Sequence, residues 1–554
     1  MTGGQALVAQ LLREGVTHVF GIPGVQLDWA VEALREHRGE IDFLVPRHEQ
    51  AASYMADGYA RCSGREGVSM VVPGPGVLNA LSGLATAYAC SSRTLFIAGE
   101  VPSGMLGRRQ GMLHEIRGQG EILQQLTKWH ALAKRPQQVA EIVHEAFVQL
   151  RSGVARPVAI EVPPDVLQAQ ADARLFDRAL TRCEPPDEQA LRETAALLRS
   201  ARFPVIQAGG GAAAAICGEA LTRLAEQLQA PVVMTAGGRG LLPSRHPLAL
   251  SSLGGRAVFP HADVVLAVGT RFLDLDARPA HDDPACRYVY VNLDPDHTGE
   301  PRVPGVVVMA DARAALERLA GMLADLPSRP SRARSIAAVK DWCEVQLRAI
   351  QPQAAYVDAM RSAIPEEGII VSELTQVGYF ANVAFPVSAP RTWLTPGYQG
   401  TLGYGLPTAL GAALGSPGRR VVSINGDGGI GWNMQELLTA ARYRLNVTAI
   451  VFADGHYGNV RRIQRQVFGE EFATELRNPD FGTLASAFGV PYRGVEGPDA
   501  LRDALLECAN AAGPVLIEVK VGEMASPWPV VHPRVPAPTP PPPNPLGPPL
   551  STRE

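Results

Sequence analysis

Short apolar runs alternate with longer stretches of helical periodicity along most of the chain. Most runs, such as 264–268, are nearly continuous, which is typical of strands buried on both faces of a parallel sheet. The pattern therefore predicts an α/β protein of repeated βα units. The predicted strands are 17–20, 43–45, 69–72, 94–98, 158–162, 205–208, 264–268, 288–291, 369–371, 421–424, 449–452 and 515–519.

Two polar segments interrupt this rhythm. Residues 168–188 and 325–335 are rich in proline and charged residues, which is typical of linkers between domains. They predict three domains, at 1–167, 189–324 and 336–525, followed by a tail at 526–554.

The tail is defined by its prolines. It holds 12 of them in 29 residues, too many for a helix or a central strand, so an extended segment is predicted. Two alternatives remain open: a solvated, partly disordered end, or an arm that packs over a neighbouring domain.

Composition and charge narrow the class of protein. The 554 residues are 46% hydrophobic and 19% charged, which excludes a wholly disordered chain. The net charge of −4 leaves no excess of positive charge for binding nucleic acid. The seven cysteines form no CxxC pair, and no apolar run reaches the length of a membrane span. We expect a cytoplasmic protein with reduced thiols, no nucleic-acid partner and no membrane contact.

The most informative segment is 420–459. A strand ends at Ile424 and is followed by a glycine-rich turn over 426–431, a helix predicted at 434–443 and a second strand at 448–452. A glycine turn at the start of a helix presents backbone N–H groups to a diphosphate.

The turn allows three interpretations. Gly426, Gly428 and Gly431 satisfy GxGxxG, a weak signal for a nicotinamide dehydrogenase. Asp427 would repel a diphosphate unless a cation lies between them, and Asp454 follows 27 positions later at the next strand end. Two such oxygen donors suit Mg²⁺, so a metal–diphosphate site is favoured over a dehydrogenase or a purely structural turn.

Three pieces of this region together resemble the signature of thiamine-diphosphate enzymes. They are GDG at 426–428, QEL at 435–437 and the pair at 453–454 after the next strand. The resemblance implies three doubly wound parallel-sheet domains: pyrimidine-binding, central and diphosphate-binding. It implies that Mg²⁺ is bound by Asp427, Asp454 and the carbonyl of His456. It also places five residues at the cofactor, namely Gly426, Gly428, Gly429, Tyr457 and Gly458. The family pair Asn-Asn is Ala453-Asp454 here, which adds a negative charge to the site.

A second motif lies far from the first. Arg47-His48-Glu49 and the following ADGYAR resemble the family segment whose glutamate activates the cofactor. The resemblance gives Glu49 this catalytic role, and places Asn79, in the similar segment 73–89, at the cofactor. Without the resemblance, Glu49 is a carboxylate at a helix N-terminus, favourable to the helix dipole.

A third motif, 400–405, resembles the GTMGYG of acetohydroxyacid (acetolactate) synthases. It implies that the Gly400 carbonyl binds the aminopyrimidine and that Leu402 wedges between the two cofactor rings; read alone, Leu402 is a core residue. Segments 203–212 and 264–272 resemble the central domain. That domain carries FAD in the synthases and is empty in several relatives, and the empty form is slightly favoured.

The residues predicted to act on the substrate differ from those of the synthases. His114 stands where they have glutamine, which suits proton transfer near neutral pH, although a surface-loop histidine is the alternative. Arg461 and Arg462 could hold a substrate carboxylate or form a solvated helix face. Ile463 stands near the position of a tryptophan that shapes the acceptor pocket of the synthases.

The resemblance implies an enzyme that acts on a small 2-oxo acid, in the manner of acetolactate synthase, by decarboxylation and carboligation. The alternatives are a 2-oxo acid decarboxylase, a 2-hydroxy ketone lyase similar to benzaldehyde lyase, and, outside this class, a nicotinamide dehydrogenase. Because the family places the two ends of the cofactor on two subunits, a homodimer or homotetramer is expected.

Overall fold

The computed structural model describes residues 1–181, 183–271, 285–299, 305–532 and 534–548. These residues form three six-stranded sheets, and every strand pairing in them is parallel. Helices flank each sheet, so the predicted α/β class with three parallel-sheet domains is confirmed. Phe272, the last residue of the predicted central-domain segment 264–272, and the last six residues of the tail lie outside the described residues.

The first sheet has the strand order β2-β1-β3-β4-β6-β5. Its strands are β1 His18–Gly21, β2 Asp42–Leu44, β3 Gly67–Val71, β4 Thr94–Gly99, β5 Trp129–Leu132 and β6 Val158–Val162. Its helices are α1 Gly3–Glu14, α2 Asp28–Glu36, α3 Glu49–Ser63, α4 Pro75–Ala89, α5 Gln119–Leu126, α6 Gln138–Leu150 and α7 Pro164–Gln168.

The second sheet has the order β12-β11-β10-β7-β8-β9. Its strands are β7 Pro204–Ala208, β8 Val232–Met234, β9 Ala249–Ser251, β10 Val264–Val268, β11 Arg287–Asn292 and β12 Val306–Met309. Its helices are α8 Glu188–Ser200, α9 Gly210–Ala214, α10 Gly218–Leu228, α11 Ser252–Val258 and α12 Ala312–Met322. If β7 to β12 are renumbered 1 to 6 and the sheet is read from the β9 edge, the order is 3-2-1-4-5-6, which is the order of dinucleotide-binding folds.

The third sheet has the order β14-β13-β15-β16-β18-β17, which repeats the connectivity of the first. Its strands are β13 Ile369–Ser372, β14 Trp393–Leu394, β15 Val421–Gly426, β16 Val447–Ala453, β17 Tyr492–Glu496 and β18 Val515–Lys520. The remaining helices are α13 Ala333–Arg348, α14 Gln353–Ala363, α15 Gln376–Ala384, α16 Gly405–Gly415, α17 Asp427–Asn433, α18 Glu436–Arg442, α19 Gly458–Phe468, α20 Phe481–Ala487, α21 Pro498–Glu507 and α22 Trp528–Val531.

Helices α3 and α16 join the first and third domains. A Cβ at Gly58 would lie 2.0 Å from the Thr408 carbonyl oxygen, and one at Gly411 would lie 1.9 Å from the Met55 carbonyl oxygen. These glycines therefore let the two helix backbones touch. The close packing fixes the start of α3, where Glu49 stands, relative to the loop that leads into α16.

The tail differs from the expectation of an extended segment. Residues 528–531 form the short helix α22, which tolerates its prolines because Pro527 is the N-cap and Pro529 lies in the first turn. The described part of the tail packs as an arm: Trp342 donates to the Pro542 carbonyl and Asn544 to the Ala257 carbonyl. The alternative of an arm over a neighbouring domain is thus the correct one.

No helix among the described residues combines the length and apolar character needed to cross a membrane.

Candidate active site

Asp427 opens helix α17 at the carboxyl end of β15. Its side chain is buried and held from three directions: Oδ1 accepts the Gly428 N–H at 2.9 Å, and Oδ2 accepts the Gly455 N–H at 2.7 Å and the Asn478 amide at 2.8 Å. Residues 427–433 are helical, so the glycine loop predicted over 426–431 is corrected to a single N-cap residue, Gly426. The helix starts this early because Asp427 favours a helix N-terminus.

Asp454 follows β16, the strand that pairs with β15. Its Oδ1 accepts the His456 N–H at 3.0 Å, and the His456 ring donates from Nδ1 to the Asp454 carbonyl at 2.8 Å. Burial raises the pKa of Asp454, and the charge of Asp427 raises it further. Neither carboxylate forms an ion pair with another described residue. A divalent cation would relieve this repulsion, so the donor set fits Mg²⁺.

The glycines around this turn leave no room for side chains. A Cβ at Gly428 would lie 2.7 Å from the ring of Tyr457, and one at Gly458 would lie 2.6 Å from Oδ2 of Asp454. A Cβ at Gly429 would lie 1.8 Å from a carboxylate oxygen of Glu373. Glycine is therefore required at these positions, because neighbouring side chains fill the space that a Cβ would take.

Two polar residues at this site were missed by the sequence analysis. Gln376, at the start of α15, has Nε2 3.2 Å from the Cβ position of Gly458, and its buried Oε1 has no hydrogen-bond partner among the described residues. The other is Asn478, which donates to Asp427. A signal for Gln376 existed, because a polar stretch directly follows the predicted strand 369–371 and parallel strands end at one edge of the sheet.

Glu49 is the first residue of α3, as predicted. It is half-buried, and its Oε2 accepts a hydrogen bond of 3.1 Å from Nδ2 of Asn79 on α4. The structure thus brings together two residues assigned to the cofactor on separate motifs. Asn79 therefore orients the carboxyl group of Glu49 through one of its two oxygens.

His114 lies in the loop between β4 and α5. Its φ of 66° is in the left-handed region, which is uncommon outside glycine and costs strain. The Cβ position of Gly74 is 2.3 Å from the His114 carbonyl oxygen, so this loop rests on the start of the helix that carries Asn79. The buried Nδ1 of His114 has no hydrogen-bond partner within the described ranges.

Gly400 and Leu402 lie in the loop before α16. Gly400 has a φ of 57°, so glycine is favoured there. Leu402 is 38% exposed, which contradicts the alternative that it is a core residue. The Thr401 hydroxyl shares a hydrogen bond of 2.9 Å with the Tyr54 hydroxyl, which anchors the loop to α3.

The candidate substrate residues lie on α19. Arg461 donates to Glu471 at 2.6 Å, and Arg462 donates to the Asn459 side chain at 2.8 Å and lies over the ring of Trp528 in the arm. Both guanidinium groups therefore have local partners, whereas Ile463 is 43% exposed. A role for either arginine on a substrate carboxylate stays a prediction, and it requires an exchange of these partners.

The predicted residues form two groups within one chain. Glu49, Asn79 and His114 lie on the first domain, whereas Gly400, Leu402, the turn at 426–429, Asp454 and α19 lie on the third. No hydrogen bond or ion pair in the described part of the chain joins Glu49 or Asn79 to residues 426–429 or 454–458.

The family is shown by comparison with known proteins. The N-terminal TPP binding domain, the central domain and the C-terminal TPP binding domain of the thiamine pyrophosphate enzymes match residues 1–122, 191–319 and 374–519. This chain belongs to the thiamine pyrophosphate enzymes, whose cofactor is also called thiamine diphosphate. The matches favour the metal–diphosphate interpretation of the glycine turn over the nicotinamide one.

Similar curated proteins place the chain in the branch that resembles acetolactate synthase. It is 37% identical to "Probable 2-ketoarginine decarboxylase AruI" of Pseudomonas aeruginosa, over 94% of each chain. It is 32% identical to the acetolactate synthase of Arthrospira platensis, over 96% of each chain. It is 31% identical to the large subunit of acetolactate synthase isozyme 3 of Escherichia coli, over 92% of each chain.

Proposed function

We propose that the protein is a Mg²⁺- and thiamine-diphosphate-dependent enzyme that decarboxylates a 2-oxo acid. The observation that carries the proposal is the pair Asp427 and Asp454, two neighbouring carboxylates beside a glycine-rich turn that have no ion-pair partner among the described residues. The bound cofactor supplies the electron sink for decarboxylation. Asp427, Asp454 and the His456 carbonyl would hold Mg²⁺, and Glu49, oriented by Asn79, would share a proton with a pyrimidine nitrogen.

Two residues favour decarboxylation without carboligation. The Nδ1 of His114 is buried without a hydrogen-bond partner among the described residues, so it is free to bond a substrate group. Ile463 is a smaller apolar residue than the tryptophan of the synthases, so the acceptor pocket differs. The test is product analysis with pyruvate: acetaldehyde and CO₂ support a decarboxylase, whereas acetolactate identifies a carboligase.

A cationic 2-oxo acid is the substrate class that we favour, in line with the name of the Pseudomonas relative. Glu100 follows β4, next to Gln119, whose oxygen accepts the N–H of Gly74 at 2.8 Å beside the His114 loop. Burial raises the pKa of Glu100, and the charges of Glu161 and Glu115 raise it further. A guanidinium group on the substrate would neutralise the Glu100 carboxylate.

We expect Glu100→Gln to lower kcat/KM for 2-ketoarginine by about 10- to 100-fold, because a hydrogen bond to a charged group contributes roughly 1.5–3 kcal/mol. Steady-state kinetics with 2-ketoarginine and an uncharged 2-oxo acid of equal length measures the effect. The uncharged substrate should show no loss, and Glu121→Gln, an exposed glutamate on α5, is the matched control. Equal losses with both substrates would exclude a role of Glu100 in charge recognition.

The active unit is proposed to be a homodimer in which each site combines the first domain of one subunit with the third domain of the other. Large apolar side chains are exposed on both halves, with Leu113 at 62%, Leu78 at 48% and Trp432 at 55%. Apolar patches at two separated half-sites fit an isologous interface. The cytoplasmic location expected from the sequence also stays a prediction.

A mixing experiment tests the shared site. Glu49→Gln and Asp427→Asn homodimers should each be inactive. Random heterodimers of the two contain one site with both native residues, so the mixture should recover about a quarter of wild-type activity. The control is a mixture of Glu49→Gln with itself under two affinity tags. A mixture that stays inactive, or an active monomer in sedimentation, would exclude the shared site.

A further inference from the structure

Glu373 is a buried carboxylate to which neither the sequence analysis nor the proposed mechanism gives a role. It directly follows β13 and is only 4% exposed. Its N–H donates to the Ile424 carbonyl at 2.9 Å, which extends the pairing of β13 with β15 and fixes its backbone at the sheet edge. The side chain therefore projects from a rigid position next to the cofactor cradle.

The carboxylate touches two segments that serve opposite ends of the cofactor. Oε1 accepts the N–H of Gly405 at 3.1 Å, at the start of α16 and the end of the loop with Gly400 and Leu402. The other oxygen, Oε2, lies 1.8 Å from the Cβ position of Gly429, in the helix that Asp427 opens. Glu373 thus lies between the aminopyrimidine loop and the diphosphate turn.

The charge of Glu373 has no cationic partner. The ion pairs of the described residues do not include it. Burial raises its pKa to about 7, against the opposing effect of backbone N–H donors from Gly405, Gly403, Gly426 and Tyr404. A buried carboxylate balanced only by backbone dipoles destabilises a fold relative to a neutral residue. Stability alone therefore does not account for a glutamate here.

We propose that Glu373 is a positioning residue that sets the separation between the loop at 400–405 and the turn at 426–429, and thereby the placement of the two ends of bound thiamine diphosphate. The inference rests on the proposed function. It follows from the geometry: one carboxylate bonds the backbone on one side and packs against a glycine on the other, so a change in its length or charge shifts one segment against the other.

The test compares Glu373→Gln, which keeps the length and replaces the carboxyl group by an amide, with Glu373→Asp, which keeps the carboxyl group and shortens the side chain. Thiamine diphosphate is titrated with Mg²⁺ into each cofactor-free protein, followed by tryptophan fluorescence, and the melting temperature of the cofactor-free form is measured. Both variants should raise the cofactor Kd by about 10- to 100-fold, as loss of an outer-shell partner does. Their melting temperatures should stay within a few degrees of wild type. Glu366→Gln, an exposed glutamate of the same domain, is the matched control.

The outcomes separate this inference from the proposed function. Unchanged Kd values in both variants, or a raised Kd accompanied by melting temperatures lowered by more than a few degrees, would overturn the positioning role while wild type still binds the cofactor. A wild-type protein that does not bind thiamine diphosphate would overturn the proposed function and this inference with it. If the Gln variant does not fold, the same comparison is made with the Asp variant.

Discussion

Replacing Glu49 by glutamine is expected to lower kcat by about 10²- to 10⁴-fold while the protein remains folded and binds its cofactor. The amide cannot supply the proton that a pyrimidine nitrogen shares with the carboxyl group. The substitution keeps the size of the side chain and the hydrogen-bonding reach to Asn79, which donates to Glu49 at 3.1 Å. Exchange of the C2 proton of bound thiamine diphosphate, measured by NMR after acid quench, should slow by a similar factor.

The control for this experiment is Glu32→Gln, the same chemical change on the exposed face of α2. It should leave turnover and proton exchange unchanged. Cofactor binding by Glu49→Gln is measured in parallel, since a loss of binding alone would mimic a catalytic defect. Wild-type exchange rates in Glu49→Gln would show that Glu49 is the helix-terminal carboxylate of the alternative interpretation.

The interior strands of the fold could be predicted from the sequence, and most edge strands could not. All twelve predicted apolar runs fall on strands of the structure. Of the six strands that were missed, five lie at sheet edges, among them β5 and β17. The edge strand Tyr492–Glu496 is exposed or half-exposed along its length, so it lacks the continuous apolar run that marks a buried parallel strand. The edge strands β9 and β14 are short, with three and two residues. The sixth, β8, has only three residues.

The candidate site shows the same division between local and long-range information. The proximity of Asp427 and Asp454 could be predicted from one segment because adjacent parallel strands end at the same edge of a sheet. Contacts between distant segments left no local pattern. Asn478 reaches Asp427 from a loop 51 positions away, and Gly405 donates to Glu373 across 32 positions. Such contacts can be identified only from the folded structure.

The tail shows a further limit of prediction from the sequence. Proline content correctly predicted that no long helix forms, but it could not predict what the arm contacts. Arg256 donates to the carbonyls of Pro529 and Val530, and Trp528 donates to the Asn459 side chain on α19. These are backbone carbonyls and single side-chain atoms, and no composition rule anticipates them. The arm therefore links the central domain to α19 of the third domain.

Asp454 is one residue at which this chain departs from the family pattern, and the structure explains why its charge matters. With Asp427 beside it and a diphosphate in place, the site carries more negative charge than one Mg²⁺ neutralises. Asp427 already accepts three hydrogen bonds, which disperse its charge. Asp454 accepts one, from the His456 N–H, and burial and its neighbour raise its pKa. Asp454 is thus the more poorly compensated of the two carboxylates.

Asp454→Asn should therefore preserve activity and change the Mg²⁺ dependence, because an amide oxygen has the same reach and is the donor of typical family members. Asp454→Ala removes the ligand, and we expect it to raise the Kd for thiamine diphosphate by more than about 100-fold, beyond the usual loss for an outer-shell partner. Titration of Mg²⁺ and cofactor into metal-stripped wild type and both variants measures these effects, with Asp503→Ala, an exposed aspartate on α21, as the control. Cofactor binding by the Ala variant as tight as that of wild type would show that Asp454 does not bind the metal and that its place beside Asp427 has another cause.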